Sequence, residues 1–389
     1  MLKNGRRLNN PSPIGIISPT FAPLNCSMFR FVFCILLLSI GSLRAQTLLQ
    51  KLNPERLFSK NLRLIANPII QNSPETGLKL GVAGNYFFKA GRDTLTRSSN
   101  IYLQIAYTTK NQFILEPIWN IFTPGEKYIL RGRAGYLDFT DHYWGIGPLA
   151  NEFNKTDLSY NRIYLQNKIL RRLRGNWFAG LNMRYSDIHD IRWAQQKPGV
   201  SGADGSVVAG LGPNFQADFR DNPFSPQKGW YADVYYSYFG KFLRGQYVFD
   251  EWQIDLRGYI PTRRKHQVLA LQAFANFTQG DIPFRELPRL GSAFLMRGYF
   301  EGRFRDFQYV AAQAEWRQPL WKWLHASAFL AAGEVAPSIR QLGLERIKVT
   351  GGAGLRILLN PKEYIFARLD FAFNNEGGTG VYIRINDAF

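Results

Sequence analysis

Between residues 251 and 260 the chain reads Glu251-Trp-Gln-Ile-Asp-Leu-Arg-Gly-Tyr-Ile260. Successive side chains of a strand point to opposite sides. Trp252, Ile254, Leu256 and Ile260 therefore fall on one face, and Glu251, Gln253, Asp255 and Arg257 on the other. One such strand suits a soluble sandwich as well as a membrane barrel, so repetition has to decide. Val310, Ala312, Ala314 and Trp316 alternate with Gln313, Glu315 and Arg317. Ala367, Leu369, Phe371 and Phe373 alternate with Arg368, Asp370 and Asn374, and Val381, Ile383 and Ile385 with Tyr382, Arg384 and Asn386. The apolar faces carry no charge, as lipid requires, since Arg or Lys there costs about 2–4 kcal/mol at the bilayer midplane. The polar faces carry both signs of charge and suit a wet lumen.

Working outward from this segment, the pattern predicts sixteen strands. They fall near 62–71, 76–90, 97–109, 111–122, 126–139, 158–171, 174–187, 206–220, 228–241, 245–260, 264–278, 305–318, 321–334, 347–359, 362–374 and 377–388. The links segregate by length. The long ones, 140–157, 188–205, 279–304 and 335–346, all fall on one side, while Thr123–Glu126, Pro261–Lys265 and Asn360–Lys362 are compact and fall on the other. An even strand count with short periplasmic turns and long extracellular loops is the plan of bacterial outer-membrane barrels. The expected fold is thus all-β, a 16-stranded antiparallel transmembrane β-barrel over residues 62–389.

Composition agrees. Of 389 residues 46% are hydrophobic and 15% aromatic, enough apolar surface to exclude a disordered chain. After residue 45 no apolar run approaches the roughly 20 residues of a spanning helix. Residues 1–45 are expected to be a targeting region. Within it, residues 28–45 have the anatomy of a secretory signal: Arg30, an apolar run from Phe31 to Ile40, then small residues up to Ala45. Residues 46–61 would be a short periplasmic leader, with no room for a domain before the barrel. Both cysteines, Cys26 and Cys34, precede the expected cleavage point, so the mature chain would lack disulfides and thiol chemistry. Residues 1–45 hold five basic and no acidic residues, which takes the formal charge from +19 to +14.

No catalytic constellation is apparent. His142, His189, His266 and His325 are scattered without metal-ligand spacing. No Gly-x-Ser-x-Gly elbow occurs. Gly351-Gly-Ala-Gly354 lies in a strand and lacks the Lys-Ser/Thr of a phosphate loop, so these glycines are expected to let a strand bend or a loop pack closely. The chain is therefore expected not to be an enzyme and to need no cofactor or metal. Arg171-Arg-Leu-Arg174 and Arg263-Arg-Lys265 fall at expected periplasmic turns. They could meet anionic headgroups, dock an acidic periplasmic partner, or simply solvate the barrel end. No nucleic-acid-recognition fold accompanies them.

The link 279–304 carries Leu290-Gly-Ser-Ala-Phe-Leu-Met-Arg-Gly-Tyr299, followed by Glu301-Gly-Arg-Phe-Arg-Asp306 and a strand ending Glu315-Trp-Arg-Gln-Pro319. Here the chain resembles the BamA/TamA superfamily of outer-membrane assembly and two-partner-secretion barrels, the bacterial surface antigen family. Met296, Arg297, Gly298 and Tyr299 match its Val/Ile-Arg-Gly-Phe/Tyr loop motif. Asp218-Phe-Arg-Asp-Asn-Pro-Phe-Ser-Pro-Gln-Lys-Gly229, with Arg220, Asp221, Asn222, Pro223, Pro226 and Gly229, resembles its Arg-Asp-Asn-Pro…Pro-x-Lys-Gly turn. Gly352–Arg356 and Arg368–Asp370 resemble its late strands. Ser73-Pro-Glu-Thr-Gly77 resembles the opening hairpin of members without periplasmic repeats. Phe389 resembles the aromatic end that outer-membrane barrels present for assembly.

The resemblance implies that the sixth extracellular loop folds into the lumen and that Arg297 meets acidic groups on the inner wall. By strand phase Glu315 and Asp370 point inward and are the expected partners. The family usually carries Phe-x-Asp-x-Gly in the next strand, whereas this chain has Phe329-Leu-Ala-Ala-Gly333, with Ala331 where the aspartate belongs, so the loop lock is expected to rest mainly on Glu315 or to be weaker. The expected function is assistance to insertion or transport of proteins or lipids at the bacterial outer membrane. The expected partners are outer-membrane lipid and a periplasmic or client protein. Asn67-Pro68 and Gly377-Gly378 weaken pairing at the seam between first and last strands, because Pro lacks a ladder donor and Gly packs no side chain. The alternative is a passive pore or structural barrel acting with a separate periplasmic partner.

Overall fold

The computed structural model describes residues 64–91, 96–97, 99–361 and 364–389. The expected signal segment 28–45 and leader 46–61 lie outside the described residues. The first eight strands are β1 (Leu64–Ser73), β2 (Gly77–Phe88), β3 (Ser99–Thr108), β4 (Phe113–Phe122), β5 (Tyr128–Tyr143), β6 (Thr156–Arg174), β7 (Trp177–Trp193) and β8 (Ser206–Asp218). The rest are β9 (Gly229–Phe239), β10 (Phe249–Pro261), β11 (Val268–Gly280), β12 (Gln308–Pro319), β13 (Leu324–Ala336), β14 (Lys348–Asn360), β15 (Ile365–Asn374) and β16 (Thr379–Ile385). Each strand pairs with its chain neighbours, and β1 meets β16 to close an antiparallel 16-stranded barrel. No α-helix occurs among the described residues.

The direction of burial separates the two readings that alternation alone leaves open. On β10, Trp252, Leu256 and Ile260 are 49%, 44% and 50% exposed, whereas Glu251 and Asp255 are 4% and 7% exposed. A soluble sandwich would show the reverse. Only an apolar solvent makes this arrangement favourable, because the outer face then meets lipid and the charged face pairs inside.

Several strands overrun their expected limits, β5, β6 and β7 by the most. β6 reaches Arg174 and β7 reaches Trp193, with Leu158↔Trp193 still in register across a shift at Ser159/Asn161. Along Asp187-Ile-His-Asp-Ile-Arg-Trp193 the backbone ladder continues past the stretch where lipid selects the side chains, so alternation misses it. Arg171, Arg172 and Arg174 consequently end a strand, and Gly175-Asn176 makes the turn. β16 instead stops short, at Ile385, because Asn386 takes φ +69. Asn tolerates this left-handed backbone better than most residues. The seam is uneven: β1 and β2 stay in register from Leu64↔Tyr86 to Ser73↔Gly77, while β1 and β16 register only at Asn72↔Ile383.

Residues 281–307, between β11 and β12, supply Leu290, Leu295, Met296, Tyr299 and Phe304 to a buried cluster with Tyr309 and Ala311 of β12 and Ala331 and Val335 of β13. A cavity of about 940 Å³ lies between this loop and lumen-facing residues of β4–β11.

Candidate functional site

Met296 and Gly298 both take positive φ, +56 and +103, and the Tyr299 N–H donates to the Met296 carbonyl (3.3 Å), so the four motif residues form a tight reversal. Gly298 is required there: a Cβ would also lie 2.9 Å from Thr350 Oγ1. The wall captures this backbone. Tyr382 accepts from the Gly298 N–H (2.8 Å), Asn374 Nδ2 donates to the Gly298 carbonyl (2.7 Å), and the Thr350 hydroxyl donates to the Arg297 carbonyl. Met296 sits in the apolar cluster, and the Tyr299 hydroxyl donates to Asn375 Oδ1 (2.5 Å).

Arg297 is thereby aimed at the wall. Its Nη1 lies 2.7 Å from Asp370 Oδ2 and its Nη2 2.8 Å from Glu315 Oε2, all three side chains being fully buried. The guanidinium stands 3.5 Å from the centre of the Phe329 ring. Neither carboxylate belongs to Arg297 alone. Glu315 also meets Arg317 (2.9 Å) and Arg356 (3.3 Å), and Asp370 meets Arg356 (2.6 Å) and Arg368 (2.8 Å). Asp387 then joins Arg356 (3.1 Å) and Arg317 (3.2 Å). Four guanidiniums thus share three carboxylates away from water, where paired charge-assisted bonds offset desolvation and an unpaired charge is expensive. Gly354 makes room for them, since a Cβ there would lie 2.2 Å from Asp370 Oδ1 and 2.7 Å from Arg356 Nη1. Gly352 is as tight, a Cβ there lying 2.1 Å from the Phe371 carbonyl, whereas at Gly351 a Cβ would make only ordinary contact.

Ala331 is buried in the apolar cluster and offers Arg297 no acceptor. Arg297 Nη1 and Nη2 are satisfied by β15 and β12, but its buried Nε has no partner among the described residues. Glu315 does not carry the contact by itself: Asp370 pairs with Arg297 at a similar distance.

Sequence reasoning missed a second attachment of the same loop. Arg285 donates to Asp141 of β5 and to the Tyr160 hydroxyl of β6. Glu286 takes Arg162 of β6 (3.2 Å) and Arg184 of β7 (2.9 Å). Burial pushes the Glu286 carboxyl up, but the guanidiniums of Arg162 and Arg184 outweigh it and hold the group below the usual carboxylate range. Arg305 is fully buried nearby and donates through Nε and Nη2 to the Gly302 carbonyl (3.0 and 2.8 Å). The available signal was an adjacent Arg-Glu pair in an otherwise apolar stretch, Ile282-Pro-Phe-Arg-Glu-Leu287.

The turn motif is structural. Arg220 pairs with Asp218 (2.8 Å), Asp221 Oδ1 accepts from Gln227 N (2.9 Å), and Asn222 Oδ1 accepts from Phe224 N (2.7 Å) and Ser225 N (3.0 Å). Gly229 takes φ +101, and a Cβ there would lie 2.1 Å from the Phe219 carbonyl. Pro223 lines the internal cavity, and the Pro226 carbonyl accepts from Arg317 (3.4 Å). Phe389 does not continue the β16 ladder; it is buried with Tyr259, Val268 and Ala270.

Three comparisons bear on this architecture. The BamA of Haemophilus ducreyi lacking POTRA domains 1–3 superposes with a TM-score of 0.58 at 14% identity, covering 83% of this chain and 70% of that one. CdiB from Acinetobacter baumannii gives 0.55 at 11% identity, with 83% and 60% covered, and CdiB from Escherichia coli 0.57 at 10%, with 84% and 63% covered. This chain thus spans between 60% and 70% of the length of these structures. No curated protein sequence matches it. The Omp85 superfamily domain matches residues 149–389, more than half of the chain, including the loop, its ion cluster and the turn motif. The chain belongs to the Omp85 superfamily.

Proposed function

We propose that this barrel assists insertion or transport of proteins or lipids at the bacterial outer membrane, with loop 281–307 folded back into the lumen as a lock. The observation that carries this reading is the buried pairing of Arg297 with Glu315 and Asp370. A loop arginine in a desolvated cluster fixes the loop by a strong, geometrically specific contact, which is what a lock requires. The seam supports the same reading. β1 and β16 share one register position, helped by Asn72 Nδ2 donating to the Val381 carbonyl (2.9 Å), so the wall opens there at least cost. The short-turn end is then periplasmic, and Arg171, Arg174 and the residues of Arg263–Lys265 meet headgroups, dock an acidic periplasmic partner or solvate the barrel end, while Arg172 is taken up by Glu126 (2.8 Å).

Single-channel recording of the purified barrel in planar bilayers tests the lock. Arg297→Ala is expected to alter gating or open a larger conductance state than the native chain shows. Identical steady pores in both would favour the passive barrel with a separate partner. Reconstituted vesicles then test activity: faster folding of an added outer-membrane barrel in their presence is the expected result.

A further inference from the structure

The segment after β16 crosses the interior. Asn386 turns the chain away from the wall, its N–H donating to the Phe366 carbonyl (2.8 Å). Three residues later Phe389 lies against Tyr259 of β10 and Val268 and Ala270 of β11, lumen-facing residues on a different part of the wall. Between them the Asp387 carboxylate accepts from Ser225 Oγ (2.5 Å) and pairs with Arg356 and Arg317. Arg317 also donates to the Phe389 carbonyl (2.9 Å), and its guanidinium lies 5.5 Å from the Phe389 ring centre.

Ser225 belongs to the short-end turn Arg220–Gly229. Pro223 and Phe224 from that turn line one side of the internal cavity together with Ala388 and Phe389, and Arg285–Arg289 of the loop line another. Turn and segment therefore meet across the short-turn end of the lumen. Unlike a strand, the segment is held beyond Asn386 by side-chain contacts, and it hangs from β16, the strand with the weakest neighbour pairing.

We propose that Asn386–Phe389 is a detachable latch, which closes the short-turn end of the lumen by docking its aspartate and phenylalanine on Ser225, Arg317, Arg356 and Tyr259. Local opening of such a segment needs only these contacts to break, and its population follows their strength. The latch stands whether or not Arg297 acts as a gate.

The test is reaction of a single cysteine at Ala388, in a chain also carrying Cys26→Ser and Cys34→Ser, with a hydrophilic maleimide, using the refolded barrel in detergent. Protection relative to a Lys265→Cys reference is expected in the otherwise native barrel. Ser225→Ala and Asp387→Ala should each speed labelling about tenfold, as loss of a hydrogen bond to a charged group implies. Asp387→Ala should also raise the steady conductance. Labelling of Ala388→Cys as fast as the reference, or rates unmoved by Ser225→Ala, overturns the latch. Ser225 lies in a turn outside the strands, so Ser225→Ala decides the matter even if Asp387→Ala fails to refold.

Discussion

The two attachments of loop 281–307 solve one problem with opposite polarity. At the Arg297 end the loop supplies the cation and the wall supplies Glu315 and Asp370, each shared with further wall arginines. At the other end the loop supplies Glu286 to wall arginines Arg162 and Arg184, and Arg285 to Asp141. Around Arg297 cations outnumber carboxylates, and Glu286 serves two arginines, sharing Arg184 with Glu251 of β10. Around Arg297 the scarce species is the carboxylate. Removing Asp370 takes from Arg368 its one carboxylate among the described residues, whereas removing Arg297 leaves Glu315 and Asp370 still paired.

That difference ranks the substitutions. Asp370→Ala leaves Arg297, Arg356 and Arg368 competing for Glu315 and Asp387, and should cost about 3–5 kcal/mol, the range for breaking a buried pair. Denaturant unfolding of the refolded barrel measures it. Arg297→Ala, although it removes the motif residue, should cost less, about 2–3 kcal/mol, because Glu315 and Asp370 keep other partners. A larger loss for Arg297→Ala than for Asp370→Ala would break the comparison. Glu286→Gln should cost about 1–3 kcal/mol and loosen the loop at its other end, read as faster hydrogen exchange at 282–289 but not at 296–299.

Two smaller effects sharpen it. Ala331→Asp should recover part of the Asp370→Ala loss, about 1 kcal/mol, by supplying an acceptor to the cluster in which Arg297 Nε is unpaired. No recovery would show that the family's aspartate position lies out of reach in this barrel. The last effect concerns pH. Burial, then the Glu301 carboxylate, raise the Glu75 pKa in the β1–β2 turn, where Glu75 accepts from the Glu301 N–H (3.0 Å). A raised carboxyl favours the fold at low pH, and this contribution is lost as pH rises through the folded value. Glu286, held below the usual range, behaves oppositely: its contribution is present above the ordinary carboxylate pKa and lost as pH falls through the depressed value. Thermal unfolding against pH should therefore lose its mildly acidic decline in Glu75→Gln and part of its strongly acidic decline in Glu286→Gln.

Alternation made the sixteen strands legible, because lipid and lumen select side chains at every second position and the pattern is local. Met296–Tyr299 was legible through the family resemblance, whereas the tight reversal around Gly298 emerges only from the backbone of the folded loop. The phase of β12 and β15 even placed Glu315 and Asp370 on the inner face. Sequence alone could not say which inward charges meet across the lumen, because residues 73 positions apart become neighbours only when the sheet closes. The Arg285–Glu286 attachment was hidden for that reason, since its partners Asp141, Arg162 and Arg184 lie on the far wall. Closure likewise decided that Phe389 leaves the lipid-facing ladder for a pocket beside Tyr259, and that Asp387 binds a turn residue 162 positions earlier. The sequence determined which face of each strand meets lipid; only the closed barrel determined which charges share the interior, because pairing there is a property of distance in space and not of period along the chain.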